Sequence, residues 1–492
     1  MNQFKKLAGQ TAIYGIGSVV PRILNYILLT PFYTRVLPTV VDYGTHTYLY
    51  SYSAFLIILL TFGMETTFFR YAKKRGIEKV YSASFVFLLF NSIIFSCLIF
   101  SSDTAIAAFI GNPKVEYIWY FIGIITLDVI STIPFATLRY LEKAKLFATL
   151  KLLSVVINII VNLFYLWLIP LLQKNTSIDF SSIYDPSRLL EYTFRANLIA
   201  NFFTFLFLIP HTWRFYKLFD ISLLKEMIIY SFPIMLSGLM GMINEVADKI
   251  LLNFMLPKDV NAMQQIGVYS ANYKIGMLLS IFNSMFRFGL EPFFFKISDN
   301  SDSKSNYAII TKYYLYFGLL ILLGVTLFIN YFKYFISSNY YDGLHIVPIV
   351  LLAHLFFGLY YTLSVWYKVT DKTYFSAIFA LVGALVTLLI NIILIPIMGY
   401  TGSAIATLLC YFSMLILTIY YGQIHYYIKY EFKAMFSVFG FAVLIFAFGK
   451  VIRFDNEIIN FLYNSVLIVA YLIFVIFSNK EILNKLKSYG NR

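Results

Sequence analysis

Apolar runs some two dozen residues long follow one another along almost the whole chain, each closed by a short polar or basic stretch before the next begins. A helix needs about 20 apolar residues to cross roughly 30 Å of hydrocarbon. Runs of that length lie near 9–33, 44–68, 80–102, 115–138, 147–171, 193–211, 227–256, 264–290, 308–332, 344–367, 374–398, 402–422, 434–451 and 458–478. Backbone groups in lipid must satisfy one another within the segment, and the runs are too long and unbroken for barrel strands, which alternate every second residue. The pattern predicts an all-α integral membrane protein of about 14 transmembrane helices.

Composition narrows the classes. Of 492 residues 60% are hydrophobic and 13% charged, too apolar a balance for a water-soluble domain to hide. The net charge of +14 is explained by topology rather than by a nucleic-acid partner, because the basic residues form no clustered face on a soluble unit. With the first residues inside, alternate connections collect 26 Lys and Arg against 9 on the opposite side. By the positive-inside rule both termini are expected in the cytoplasm, with an even number of spans. The basic loops then lie against anionic lipid. The opening MNQFKKLAGQTAIYGIGSVV has a basic start and an apolar run without a small-residue cleavage site, so it is read as a retained first helix. Cys97 and Cys410 fall in separate spans, and His46, His211, His345, His354 and His425 are scattered; neither set suggests a metal site.

Loops are short, and the outer one at about 173–192 is the longest on its side. The polar segment 211–225 divides a first half, 1–212, from a second, 213–425, leaving 426–492 as two further helices and a tail. An internal echo supports the division. Asn25 lies thirteen residues before Pro38, and Asn244 thirteen before Pro257; each Leu-Pro is followed by a Tyr and Gly, Tyr43-Gly44 and Gly267-Val268-Tyr269. Two six-helix lobes related by an axis along the membrane normal, with a site near the midplane and alternating access, are expected from such a repeat.

Ionisable side chains at membrane depth are costly and usually face a cavity or a partner. Helix 7 carries Glu245, Asp248 and Lys249, the last two three and four positions after the first. A Glu245–Lys249 pair that neutralises itself is one reading; a wet cleft holding all three is the other. Helix 1 adds Arg22 and Asn25, helix 8 adds Lys274 with Arg287 and Glu291 at its inner end, and helix 4 adds Asp128. Arg22, Asn25, Lys249, Lys274 and Arg287 are the candidates for holding an anionic substrate such as a phosphate or diphosphate. Asp128, Glu245, Asp248 and Glu291 are candidates for coupling to H+ or Na+, or for balancing charge. Glu65 is read as interfacial, and Asn158, Asn162, Asn391 and His354 as interhelical glue.

Several segments resemble a known family. NIILIPIMGYTGSAIATLLCY (391–411), IPFATLRYLEKAKLFATLKL (133–152), NEVADKILLNFML (244–256) with IGVYSANYKIGMLL (266–279), and LPTVVDYGTHTYL (37–49) are similar to segments of the bacterial polysaccharide flippases of the Wzx type. These sit within the multidrug/oligosaccharidyl-lipid/polysaccharide exporter superfamily. The resemblance implies two six-helix lobes plus two C-terminal helices and a cationic cavity. It also implies a substrate, an oligosaccharide repeat unit on undecaprenyl diphosphate, moved from the cytoplasmic to the periplasmic leaflet of the inner membrane for surface polysaccharide such as the O-antigen of lipopolysaccharide. A glycan polymerase and glycosyltransferases are the protein partners it suggests. Arg22 alone lies well inside helix 1 and no basic residue lies inside helix 2, unlike the lipid II flippases.

The chain is thus expected to be a transporter and not an enzyme, with no cofactor beyond a coupling ion. Two alternatives stay open. A cation-coupled multidrug exporter of the same superfamily would prefer an acid-dominated cavity. A membrane-embedded glycan polymerase would need a larger outer domain than 173–192 provides, and an assembly scaffold would have little use for intramembrane charge.

Overall fold

The computed structural model describes residues 15–479 other than 16, 18, 112, 177, 218, 298–302 and 453, with the backbone alone for 288–297. No strand occurs among the described residues. The helices are α1 (19–36), α2 (Val40–Arg75), α3 (Ile77–Ser101), α4 (Val115–Tyr140), α5 (Ala144–Asn175), α6 (Pro186–Phe215), α7 (Ile221–Met255), α8 (Ala262–Gly276 and Leu278–Ile297), α9 (Ser303–Leu327), α10 (Ser338–Val369), α11 (Tyr374–Met398), α12 (Tyr400–His425), α13 (Phe432–Val451) and α14 (Glu457–Ser478). Twelve of them, α2–α7 and α9–α14, are long and apolar enough to cross a membrane. The other two expected spans differ for separate reasons: much of 9–18 lies outside the described residues, and α8 is interrupted at Met277. The protein is a multi-pass membrane protein.

Local chemistry sets the helix ends. Thr39 caps α2 through a reciprocal pair with Asp42, directly after Leu37-Pro38. Asp220 caps α7 by accepting from the Ser222 and Leu223 amides, and Asn456 caps α14 in the same way. A left-handed Phe62 followed by Gly63 breaks α2 between Thr61 and Met64. Two helices widen into π turns, Asn25–Leu29 in α1 and Phe164–Leu168 in α5. Each precedes a proline, Pro31 and Pro170, whose ring would press on the carbonyl four residues back, inside the widened turn.

Contacts divide the chain into two compact units, one of 1–270 with 391–400 and one of 271–390 with 401–492. In the first, α6 packs on α4 and α5, α4 on α3 and α2, and α7 on α2. The α2 and α8 backbones touch where the internal echo put its glycines. A Cβ at Gly44 would collide with the Met263 carbonyl, and one at Gly267 with the Val40 carbonyl. In the second unit α9 packs on α10, α13 and α14. Large apolar side chains such as Ile229, Phe436, Ile458 and Phe477 point outward, a surface suited to lipid and not to water.

Candidate functional site

Within the first unit, α1 and α7 bring opposite charges together. Arg22 pairs with Glu245 at 3.6 Å, both side chains about half open. Three residues on, Asp248 is buried and fully engaged: it accepts from the Tyr269 hydroxyl at 2.5 Å, from the Lys249 ammonium at 3.3 Å and from the Lys249 amide at 2.8 Å. The Glu245–Lys249 pairing weighed from the sequence is therefore replaced by two other pairs. One helical turn separates the open acid from the locked one because Arg22 reaches Glu245 from α1 while Tyr269 reaches Asp248 from α8. Asn25 begins the π turn of α1, and its buried Oδ1 has no hydrogen-bond partner among the described residues.

Asp128 lies elsewhere in the same unit, in the wall of a cavity of about 290 Å³ between α4, α5 and α6, with Glu65 of α2 at its edge. Its carboxylate accepts from the Asn201 amide at 3.0 Å. Lys151 of α5 lines the same space with its ammonium 4.0 Å from the centre of the Phe135 ring. Asp128 and Lys151 form no ion pair with each other, whereas Arg139 and Glu65 do. Hydroxyls of Ser131, Thr132, Ser154 and Thr204 complete the polar lining, and Phe147 meets Phe135 edge to face at 5.5 Å.

Sequence reading missed Lys151 and Arg139, which were counted among inner-loop bases, and left Glu65 at the interface. A signal was present for Lys151: it falls inside the expected span 147–171, seven residues past the start of α5. At 1.5 Å per residue that is about 10 Å into the helix.

In the second unit, Lys274 is half-buried near the end of the first α8 segment, and Arg287 sits 5.5 Å over the Tyr361 ring. The Glu291 side chain lies outside the described residues. No cluster of three or more His, Cys, Asp or Glu able to hold a metal occurs among the described residues, and Cys97 and Cys410 are both free thiols.

Residues 7–298 match the family model described as polysaccharide biosynthesis protein. No curated protein sequence matches the chain. Among solved structures, the lipid II flippase MurJ in an inward closed conformation is similar with a TM-score of 0.75 at 17% identity, over 96% of this chain and 100% of that one. An inward-facing multidrug resistance MATE transporter of the MOP superfamily is similar with a TM-score of 0.62 at 14% identity, over 84% and 94%. A Vibrio cholerae MATE transporter gives 0.58 at 13% identity, over 86% and 98%. The fold is that of these transporters.

Proposed function

Since the chain belongs to the polysaccharide biosynthesis protein family, we propose that it is a flippase for lipid-linked oligosaccharide repeat units in surface polysaccharide synthesis. The family match over 7–298 carries this reading. The substrate would be anchored on undecaprenyl diphosphate and passed from the cytoplasmic to the periplasmic leaflet of a bacterial inner membrane, with both termini inside. An O-antigen unit of lipopolysaccharide is one such cargo, and a glycan polymerase and glycosyltransferases would act beside the protein.

A glycan bearing a diphosphate cannot cross hydrocarbon unaided, because hydroxyls and charges would lose their water together. Arg22 is suited to the diphosphate: its guanidinium is half open and its present partner, Glu245, is an acid that an incoming phosphate could displace. Asn25 would contribute an amide beside Arg22, and Lys274 and Arg287 are the cationic candidates of the second unit. Lys249 is committed to Asp248 in this structure and would serve the diphosphate only by leaving it. Glu245, Asp248 and Glu291 are the candidates for H+ or Na+ coupling or for charge balance; Asp128, which shares its cavity with Lys151 and Arg139, is a candidate for charge balance. No covalent bond changes.

Reconstituting the protein in vesicles with an undecaprenyl-diphosphate glycan, and following its loss from one leaflet, tests the proposal. Arg22→Ala and Lys274→Ala are expected to slow transfer at least about tenfold, the loss of one charge-assisted contact. Wild-type rates in both variants would remove these residues from the site, and no transfer by the wild-type protein would remove the function. The MATE likeness favours drug efflux as a second reading; it calls for drug accumulation in a deletion strain and no glycan transfer.

A further inference from the structure

We propose that the cavity between α4, α5 and α6 is a subsite for a single pyranose ring of the carried glycan, held between Lys151 and Asp128 against the Phe135–Phe147 edge. This rests on the flippase reading and gives it a carbohydrate-recognising element inside the first unit.

The lining selects by elimination. A metal ion drawn to Asp128 would share about 290 Å³ with the Lys151 ammonium and the Arg139 guanidinium, and Glu65 is already taken by Arg139. An anion drawn to Lys151 would meet Asp128 and Glu65 in the same space. A hydrophobic drug would take water from Lys151 and Asp128 without supplying either with a polar partner. What fits is an uncharged ligand with many hydroxyls, because one hydroxyl can donate to a carboxylate and accept from an ammonium.

The open valences fall in the right places. Lys151 carries three donors and makes no hydrogen bond to a described residue, its ammonium resting on the Phe135 ring. Asp128 receives one side-chain donor, from Asn201, and has lone pairs to spare. Thr132 and Thr204 donate to carbonyls of their own helices, those of Asp128 and Ala200, which leaves their oxygens able to accept. The crossed Phe135 and Phe147 rings give an apolar wall for the C–H face of a sugar. The volume stands at the small end of ligand pockets, enough for one ring and not for an oligosaccharide.

The test is saturation-transfer difference NMR on the full-length protein in nanodiscs, with glucose, galactose and N-acetylglucosamine as probes. Ring protons of at least one sugar are expected to receive saturation. Affinity should fall about tenfold in Lys151→Met and about fivefold in Thr132→Val, the factors for losing a charged and a neutral hydrogen bond. The isosteric Thr132→Val keeps the test decisive if Lys151→Met fails to fold. Replacing sodium by choline should leave the signal unchanged. The subsite is overturned if none of the three sugars is saturated, if Thr132→Val binds as the wild type does while Lys151→Met either does the same or fails to fold, or if sodium displaces the sugar. Wild-type glycan transfer in vesicles without sugar binding would sink the subsite and leave the flippase reading standing. Lys151-dependent sugar binding without any transfer would do the reverse.

Discussion

Asp248 is a carboxylate buried at membrane depth, and its three donors are what make its charge tolerable. Removing them one at a time should grade the cost. Tyr269→Phe deletes one donor and is expected to destabilise by about 1–3 kcal/mol. Lys249→Met takes away the cation paired with the acid and should cost more, about 3–5 kcal/mol. Thermal unfolding in detergent measures both, and Lys249→Met milder than Tyr269→Phe would mean the ion pair is incidental. At this scale the sequence was half legible. The i,i+3 and i,i+4 spacing picked out Glu245, Asp248 and Lys249, yet local spacing cannot register that Arg22 and Tyr269 approach from other helices and re-sort the pairs. Asp128 stood out because nothing basic was near it in the chain. Arg139 did not, because a base close to a helix end looks the same whether it snorkels to the interface or turns inward onto a ring, and Lys151 was passed over with the loop bases despite its place inside a span.

Among the helices, the echoed Leu-Pro and Gly positions turned out to mark a real crossing. Gly44 and Gly267 allow α2 and α8 to touch backbone to backbone, and any side chain there meets a carbonyl. Gly44→Leu or Gly267→Leu should force the helices apart at a cost of about 1–3 kcal/mol. Gly241→Leu, at a glycine with open space around it, should cost far less in the same unfolding experiment. The twelve long apolar helices were legible, since apolar length and basic punctuation report them directly. The breaks were not: Met277 has no proline or glycine pair to announce an interruption beyond Gly276, and the π turns depend on how neighbours accommodate Pro31 and Pro170. Caps outside the membrane give a pH handle. Hydrogen bonds from the Ser222 hydroxyl and the Leu223 amide hold the Asp220 carboxyl below its usual value. A depressed folded pKa means the cap's contribution is complete above about pH 4 and disappears as pH falls through the lowered value. Amide exchange at Ser222 and Leu223 should quicken in that acid window for the wild type, and be fast and pH-independent in this respect for Asp220→Ala. Equal exchange in the two proteins at neutral pH would show that the cap is idle.

For the whole molecule the decisive quantity is direction, because the proposed function requires a fixed sense of transfer between the leaflets. The apolar helices are symmetric to the bilayer, so orientation has to come from the basic residues, of which the expected topology puts 26 towards one side, the cavity residues Lys151 and Arg139 among them, and 9 towards the other. Two exposed loop positions report the two sides: Lys258, between α7 and α8, and Thr373, between α10 and α11. In a background with Cys97 and Cys410 replaced, a membrane-impermeant maleimide should modify Lys258→Cys in intact cells. It should reach Thr373→Cys only after the membrane is opened. The reverse pattern would invert the protein and with it the leaflet in which the proposed substrate would be taken up. Labelling of both positions in intact cells would be incompatible with the alternation of inner and outer loops on which the even number of spans depends.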